Sequence, residues 1–222
     1  MKVDKVLDRY EETIKLVKGK EVLDLGCVDH SIKQMESRGE QWMHGIICKN
    51  AKYCLGVDIE KEAIKELRKR GYNVIYGKVD EPDFNVKRKF DVVFAGDLIE
   101  HLDNLGIFLR NVRKHLREDG VFALITTNPY FFMRILDVIF RDEIYCNPDT
   151  TLWLEPRTIS QLFKKNNFEI KDIFWIRRPK WYRIGGLPMR FRNYFNFGFM
   201  VVAKPTGSFD RKIIEEVGIY GQ

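Results

Sequence analysis

The feature that most constrains the fold is an alternation of short apolar runs with amphipathic or polar segments along most of the chain. Five nearly all-apolar runs occupy residues 21–26, 53–58, 73–76, 90–95 and 121–126. Runs this short and apolar are typical of strands covered on both faces, as in parallel sheets. Helical periodicity between several of them predicts crossover helices, so the pattern indicates an α/β domain.

The periodicity also sets approximate bounds for the other elements. We predict helices at residues 1–19, 61–70, 104–117, 129–140 and 156–166, and a polar, helical stretch between the first two strands. Two further strands, at 168–176 and 197–203, are expected to finish the sheet. The count is therefore seven strands.

Composition excludes several classes of protein. The 222 residues are 45% hydrophobic and 32% charged, which excludes a disordered or fibrous chain and fits a single domain. A charged N-terminus without an apolar core, and the lack of about 18 consecutive apolar residues, predict neither signal peptide nor membrane span. Four irregularly spaced cysteines indicate no disulfide framework, and we expect a cytoplasmic protein.

The net charge of +6 is concentrated near the C-terminus. Residues 173–209 hold seven basic residues and no acidic one, interleaved with aromatics from Phe174 to Phe199. Such a tract could stack on nucleic acid, pair with an anionic acceptor or meet an anionic membrane surface. A hairpin with a solvated basic face is the structural alternative, and an aromatic dimer surface is another.

Ligands of such sheets bind beyond the carboxyl ends of the strands. Gly26 follows the first strand and permits close backbone approach, whereas Asp58 ends the second and can accept hydrogen bonds from a ribose diol. A dinucleotide site would need three glycines in the first loop, and this loop has one. Asp24 and Asp29 would repel a pyrophosphate, but they suit a cationic ligand.

Four motifs in order resemble a class I S-adenosylmethionine-dependent methyltransferase. They are VLDLGC, LGVDI, FDVVFAGDLIEHL and LREDGVFALITTNP, and they cover residues 20–128. The WLEPRTISQLFKKNNFEI stretch, residues 153–170, is similar to the family's approach to its sixth strand. The resemblance implies a Rossmann-like, seven-stranded, mostly parallel sheet with helices on both faces and an antiparallel last strand, and S-adenosyl-L-methionine as cofactor.

The resemblance also implies roles for individual residues. The methionine end of the cofactor would lie against Asp24, Gly26 and Cys27, and Gly96 would supply backbone near the sulfonium. The ribose would be held by Asp58. The adenine would be packed by Ile59 and flanked by the pair Val79 and Asp80.

The chain departs from the family pattern at three positions. Val28 and His30 stand where the family usually or often has glycine, and Lys78 stands where it often has aspartate. The last departure bears on the adenine contact. Val28 and Lys78 keep a non-catalytic partner subunit with the same fold as an alternative, whereas the intact Asp24, Gly26 and Asp58 argue against it.

Candidate catalytic residues are histidines, because methyl transfer from a sulfonium needs at most a base on the acceptor. His101 is the first candidate and His30 the second. Asp97, Glu100 and His101 are spaced to share a helix face and could together hold a divalent cation. Carboxylates that complement the dipole at a helix N-terminus are the simpler and favoured interpretation. His44, Cys48 and Cys54 match no common zinc spacing, so we predict no metal.

The sequence therefore predicts one methyltransferase domain over residues 1–222. Its parts are an N-terminal helix (1–19), a cofactor-binding half (20–128), an acceptor-side half with a basic aromatic insertion (129–205) and a tail (206–222). The predicted substrate is a small molecule, anionic and related to glycans or lipids. An RNA or tRNA methyltransferase is the alternative, and a nucleic-acid partner is less favoured than a small-molecule acceptor.

Overall fold

The computed structural model describes residues 3–29, 31–144, 146–176 and 193–207. The strands are β1 (Val6–Leu7), β2 (Glu21–Leu25), β3 (Tyr53–Asp58), β4 (Val74–Tyr76), β5 (Phe90–Gly96), β6 (Leu116–Thr127), β7 (Phe168–Ile176) and β8 (Gly198–Pro205). The helices are α1 (Arg9–Val17), α2 (Ile32–Arg38), α3 (Met43–Asn50), α4 (Lys61–Lys69), α5 (Leu105–His115), α6 (Phe132–Arg141) and α7 (Pro156–Lys165).

All described strands form one sheet, in the order β1-β7-β8-β6-β5-β2-β3-β4. Neighbouring pairs from β6 through β5, β2 and β3 to β4 are parallel, whereas β8 runs antiparallel to both β6 and β7. After the edge strand β1, the chain enters the sheet interior at β2, moves outward to β4 and then returns to β5 on the other side of β2. The switch point between β2 and β5 opens a crevice at their carboxyl ends.

Helices cover both faces of the sheet, as the apolar strands require. Along β5, Val93 and Ala95 face one core with α5 and α7, whereas Val92 and Phe94 face another with α1 and α3. A third cluster packs α2 and α4 near β4. Because side chains alternate across a strand, this doubly covered sheet explains why the strand runs are almost wholly apolar.

The α/β class, the mostly parallel sheet and the antiparallel last strand are confirmed. The count of seven strands is one too low, because Val6 and Leu7 pair in parallel with Trp175 and Ile176. The apolar spacing of residues 3–17 resembled one helix, but α1 begins only at Arg9. The partner strand lies more than 160 residues away, so local periodicity could not reveal this edge pairing.

The N-terminal segment is held by hydrogen bonds to Trp175 of β7. The indole nitrogen of Trp175 donates to the carbonyl of Val3 at 3.0 Å, and the Trp175 backbone N–H donates to the carbonyl of Lys5 at 2.9 Å. Trp175 itself is fully buried. This attachment brings the start of α1 to the carboxyl edge of the sheet. In the described part of the chain, no helix is both long and apolar enough to cross a membrane.

Asn128 joins the end of β6 to the segment that leads into β8. Its side-chain amide donates to the carbonyls of Tyr194 and Asn196 at 2.7 and 2.9 Å, and its side-chain oxygen accepts from the Tyr130 N–H at 3.1 Å. The residue is fully buried.

Most of the basic aromatic tract, residues 177–192, and residues 208–222 of the predicted tail lie outside the described residues.

We expect Asn128→Ala to lower the free energy of unfolding by about 2–3 kcal/mol. The substitution leaves two carbonyls and one N–H without partners in a buried region, and each such loss is costly. Urea denaturation measures the change. The control is Asn104→Ala, because Asn104 is exposed and makes no side-chain capping bond at α5. Equal stability of the two variants would contradict a role for Asn128 in joining these segments.

Candidate functional site

A large cavity opens at the carboxyl ends of β2, β3 and β5. It has a volume of about 1110 Å³. One side is formed by the loops after these three strands, and the other by α6 and the chain that follows it. The expected crevice at the switch point is therefore present, and the acceptor-side half lines its other side.

The first loop bends sharply at Gly26. This residue has φ +74, and its N–H donates to the carbonyl of Val57 at 2.9 Å. A Cβ at Gly26 would lie 3.0 Å from Leu98 Cδ1, so the loop and the β5 turn touch at this point. The residue after Gly26 is held by Trp42, whose indole N–H donates to the carbonyl of Cys27 at 3.1 Å. The loop thus presents its backbone to the cavity.

Asp58 organises both neighbouring loops. One carboxylate oxygen accepts from the N–H of Val28 at 2.8 Å, and the other accepts from Ile59 and Glu60 at 2.8 and 3.1 Å. Burial raises the pKa of Asp58, and these three N–H donors oppose the rise. A carboxylate has about four acceptor positions, so three backbone bonds leave capacity for one more donor from the cavity.

Asp24 and His44 form a buried pair beneath the cavity. The Nδ1 atom of His44 lies 2.8 Å from Asp24 Oδ2, and both side chains are almost wholly enclosed. Burial raises the pKa of Asp24. Burial alone would lower the pKa of His44, but its hydrogen bonds to Asp24 and Cys48 raise it to about 9. Because a carboxylate oxygen only accepts, Nδ1 is the donor in this pair.

Arg9 and Asp97 form an ion pair where α1 meets the end of β5. The Arg9 Nη2 to Asp97 Oδ2 distance is 2.8 Å, and Asp97 adopts φ +51, which is unusual for a residue with a side chain. Among the described residues, Arg9 Nε and Asp97 Oδ1 are buried atoms without a hydrogen-bond partner. Both residues line the cavity. Buried polar atoms are normally paired, so these two atoms indicate a polar ligand.

A short helical turn at Ile99–His101, called the Glu100 turn below, connects the acceptor-side half to the cofactor-binding half. Glu100 is buried, and its carboxylate accepts from Thr126 Oγ1 at 3.0 Å. Its carbonyl accepts from the backbone N–H and the hydroxyl of Thr151 at 2.9 and 3.1 Å. Burial raises the pKa of the Glu100 carboxyl. The EHL motif therefore has a structural function beside any chemical one.

His101 lines the cavity next to this turn. Its Nδ1 atom lies 2.9 Å from the carbonyl of Asp149. A carbonyl only accepts, so Nδ1 carries the proton, and Nε2 is the basic nitrogen of the neutral ring. Asp97, Glu100 and His101, the alternative set of cation ligands, bond to separate partners in the structure. Asp97 bonds to Arg9, Glu100 to Thr126 and His101 to the Asp149 carbonyl.

Most of the predicted cofactor residues come together at the cavity. Its lining includes Asp24, Gly26, Cys27, Asp58, Ile59 and Gly96. Val79 is instead buried in the core, and Asp80 accepts from the backbone N–H groups of Asp103 and Asn104. Neither lines the cavity, so the expected adenine flank is not found there. His30 lies outside the described residues.

Several lining residues were not anticipated from the sequence. Arg9, Trp42 and Leu98 belong to this group. Arg9 precedes the first motif by 13 residues, and the β1–β7 pairing directs α1 toward the site. The turn residue Leu98 could have been suspected, since it lies inside the FDVVFAGDLIEHL motif.

Both the sequence and the fold of this chain are similar to those of known proteins. The sequence model of a methyltransferase domain family matches residues 2–173. The chain belongs to this methyltransferase family. A ubiquinone biosynthesis O-methyltransferase of Pelagibacter ubique is 22% identical over 169 residues, covering 72% of this chain. The aligned region spans 65% of that relative, slightly less than two thirds of its length.

Solved structures show the same fold for this methyltransferase. A SAM-dependent methyltransferase from Archaeoglobus fulgidus has a TM-score of 0.59 at 19% identity, with 88% of this chain and 91% of that chain covered. The CcbJ methyltransferase from Streptomyces caelestis has a TM-score of 0.60 at 14% identity, with 89% and 95% covered. The chain therefore holds a methyltransferase domain with the fold of SAM-dependent methyltransferases. S-adenosylmethionine is the cofactor that its sequence motifs predict.

The methyltransferase cavity fits this cofactor. At Gly26 the positive φ lets the backbone turn close to a ligand, and Leu98 packs where a side chain would otherwise lie. The methionine end of the cofactor carries one ammonium and one carboxylate group. The unpaired Asp97 Oδ1 and Arg9 Nε supply an acceptor and a donor of matching kind.

We expect Gly26→Ala to weaken S-adenosylhomocysteine binding by at least about tenfold. Alanine at φ +74 is strained by about 1–2 kcal/mol and would press on Leu98, displacing the loop. The matched control is Gly19→Ala, because Gly19 has φ +70 but nothing within 4 Å of a Cβ. Calorimetric titration should show normal affinity for that control and weakened affinity for Gly26→Ala. Loss of affinity in both variants would mean that strain alone, not the site, is responsible.

Proposed function

We propose that this methyltransferase transfers a methyl group to a hydroxyl of an anionic small molecule held in the acceptor-side half of the cavity. The observation that carries the proposal is the cavity itself, which joins the cofactor loops to α6 and the Glu100 turn. Its volume of about 1110 Å³ exceeds the usual range of about 300–1,000 Å³ for single-ligand pockets. Cofactor and acceptor can therefore share it.

Arg134 of α6 supports an anionic acceptor. It lines the cavity, its guanidinium lies 4.9 Å from the Trp153 ring centroid, and it donates to the carbonyl of Asn128. In the described part of the chain, these contacts leave its positive charge without a carboxylate partner. Arg141, also in the lining, is instead paired with Asp137 at 3.2 Å. A carboxylate or phenolate on the acceptor would complement Arg134.

The named relatives support a hydroxyl as the methylated group. The Pelagibacter ubique protein is a ubiquinone biosynthesis O-methyltransferase, and similar proteins of Rickettsia species carry the same name. A lipid-related phenolic acceptor is consistent with those names and with the exposed apolar side chains of Val138, Ile139 and Phe140 on α6.

The cofactor is assigned to the other half of the cavity. Bound S-adenosylmethionine supplies a methyl group already activated by its sulfonium. We assign the ribose to Asp58, the adenine face to Ile59, and the methionine end to Gly26, Cys27 and Gly96. Ile59 is 57% exposed on the cavity wall, which suits stacking on a flat ring. Arg9 and Asp97 are added to the methionine end.

We expect Asp58→Asn to weaken S-adenosylhomocysteine binding by about 10- to 100-fold. Hydrogen bonds to a charged group contribute about 1.5–3 kcal/mol, and the amide offers no charge and fewer acceptor positions. Calorimetric titration measures the affinity, and thermal unfolding reports whether the Val28 and Glu60 contacts still hold the loops. Asp119→Asn is the control, because Asp119 is exposed and outside the cavity. Unchanged affinity of Asp58→Asn would contradict ribose binding by Asp58 and would leave this residue only its hydrogen bonds to the backbone.

We expect His101→Gln to lower kcat by about 100-fold or more while leaving S-adenosylhomocysteine affinity intact. General-base catalysis contributes about 10²–10⁴-fold, and glutamine keeps a polar group but cannot take up a proton. Turnover is measured as the release of S-adenosylhomocysteine, with hydroxybenzoates, catechols and their uncharged analogues supplied in turn as acceptors.

The same screen tests the proposed function. Methylation on oxygen, with higher kcat/KM for carboxylated members than for uncharged ones, is the expected result. Arg134→Gln should abolish that preference, whereas Arg110→Gln, an exposed residue outside the cavity, should retain it. Cofactor binding without turnover of any member would contradict a phenolic acceptor. Methylation of tRNA instead would establish the RNA alternative.

A further inference from the structure

Beneath the cavity, one histidine and two cysteines from separate parts of the sequence converge. They are His44 and Cys48 of α3 and Cys54 of β3, and their possible ligand atoms all lie within 4.8 Å of one another. His44 Nε2 lies 3.3 Å from Cys48 Sγ, because residues four apart share a helix face. Cys54 approaches the same ring from the strand, with its Sγ 3.8 Å from Nδ1.

Asp24 orients the imidazole of this cluster. It accepts from His44 Nδ1 at 2.8 Å, so Nε2 is the ring nitrogen that faces Cys48 and that would bind a metal. A carboxylate behind a histidine whose other nitrogen binds metal is a recurrent arrangement in metalloproteins. Both residues are buried, which fixes the ring in this orientation.

The distances suit coordination by a metal. Zinc lies about 2.3 Å from a thiolate sulfur and about 2.0–2.1 Å from an imidazole nitrogen, so tetrahedral ligands of these two kinds are about 3.5 Å apart. The observed 3.3 Å is close to that value. A thiol–imidazole hydrogen bond explains the same distance for Cys48. The second thiol, Cys54, completes a set of three metal-type ligand atoms within 4.8 Å of one another.

The neighbouring strand leaves space for this arrangement. Gly56 lies two residues after Cys54 on the same face of β3, and a Cβ there would be 2.6 Å from His44 Cε1. The glycine thus admits the ring against the sheet. Cys146, the fourth cysteine of the chain, is not part of the cluster.

We propose that His44, Cys48 and Cys54 bind one thiophilic divalent cation of the zinc type, with Asp24 holding the imidazole from behind. Histidine nitrogen and cysteine sulfur are the ligands that such cations prefer. Three protein ligands leave a fourth position for solvent. On binding, the cation replaces the thiol protons of Cys48 and Cys54 and any proton on His44 Nε2, and these protons pass to solvent. The proposal departs from the absence of metal predicted from spacing.

The cation would act on the structure of the methyltransferase rather than on methyl transfer. It would join α3 to β3 on the side of His44 away from the cavity, since Asp24 and His44 line the cavity whereas Cys48 and Cys54 do not. Because α3 follows the loop that carries Trp42, this connection also supports the backbone of Cys27.

The test is zinc titration of the reduced, chelator-treated full chain against a chromophoric zinc indicator. We expect one zinc ion per chain, a higher Tm with zinc than with chelator, and a thiolate charge-transfer band when Co²⁺ is substituted. Cys48→Ser and Cys54→Ser should each weaken zinc binding by at least about 100-fold, whereas Cys146→Ser should bind as the unaltered chain does.

Cofactor binding keeps the test independent of folding defects. S-adenosylhomocysteine affinity, measured in chelator, should be retained by both serine variants, which shows that they are folded. The proposal is overturned if the unaltered chain binds no zinc, or if Cys48→Ser binds zinc with unchanged affinity. A disulfide between Cys48 and Cys54, with no zinc binding after its reduction, would likewise replace the metal site by a redox pair.

Discussion

The structure depends on a single constraint of parallel sheets, namely that the carboxyl ends of β2, β3 and β5 must meet at one edge. The chain reverses direction across the sheet between β2 and β5, so no helix can cover the crevice there. The loops that leave β2, β3 and β5 then face the same space. The glycine turn at Gly26, the carboxylate of Asp58 and the Glu100 turn are neighbours for this reason, although up to about 75 residues separate them in sequence.

Long-range pairings then determine which other side chains reach this edge. The two-residue strand β1 pairs with β7 and aims α1 so that Arg9 meets Asp97. The carbonyl of Glu100 binds Thr151, which draws the acceptor-side half over the cofactor loops. In both cases a small contact at the switch point attaches a segment from a distant part of the chain. The cavity is enclosed by these attachments rather than by the sheet itself.

The sequence predicted the parts of this molecule that local patterns control. The strands β2–β5, β7 and β8 and the helices α4, α5 and α7 were placed within about two residues, since apolar runs and helical spacing depend only on neighbouring residues. The strand β6 begins five residues before its predicted start. The pairing of β1, the ion pair of Arg9 and the convergence of His44 with Cys48 and Cys54 could not be obtained in this way. Each depends on the sheet register or on packing between elements. Val79 and Asp80 illustrate the limit, because the motif position was recognised but the loop turns them to the core and to Asp103.

The distribution of buried charge separates function from stability. Among the described residues, the buried carboxylates are Asp24, Asp58 and Glu100, and all three line the cavity. Placing a carboxylate in a protein interior is costly, and a buried ion pair is often no more stabilising than an apolar replacement. Folding alone therefore gives no reason to gather these groups at one edge. A cofactor with a cationic sulfonium and an ammonium group does, because negative charge and fixed acceptors at that edge stabilise it where it must bind.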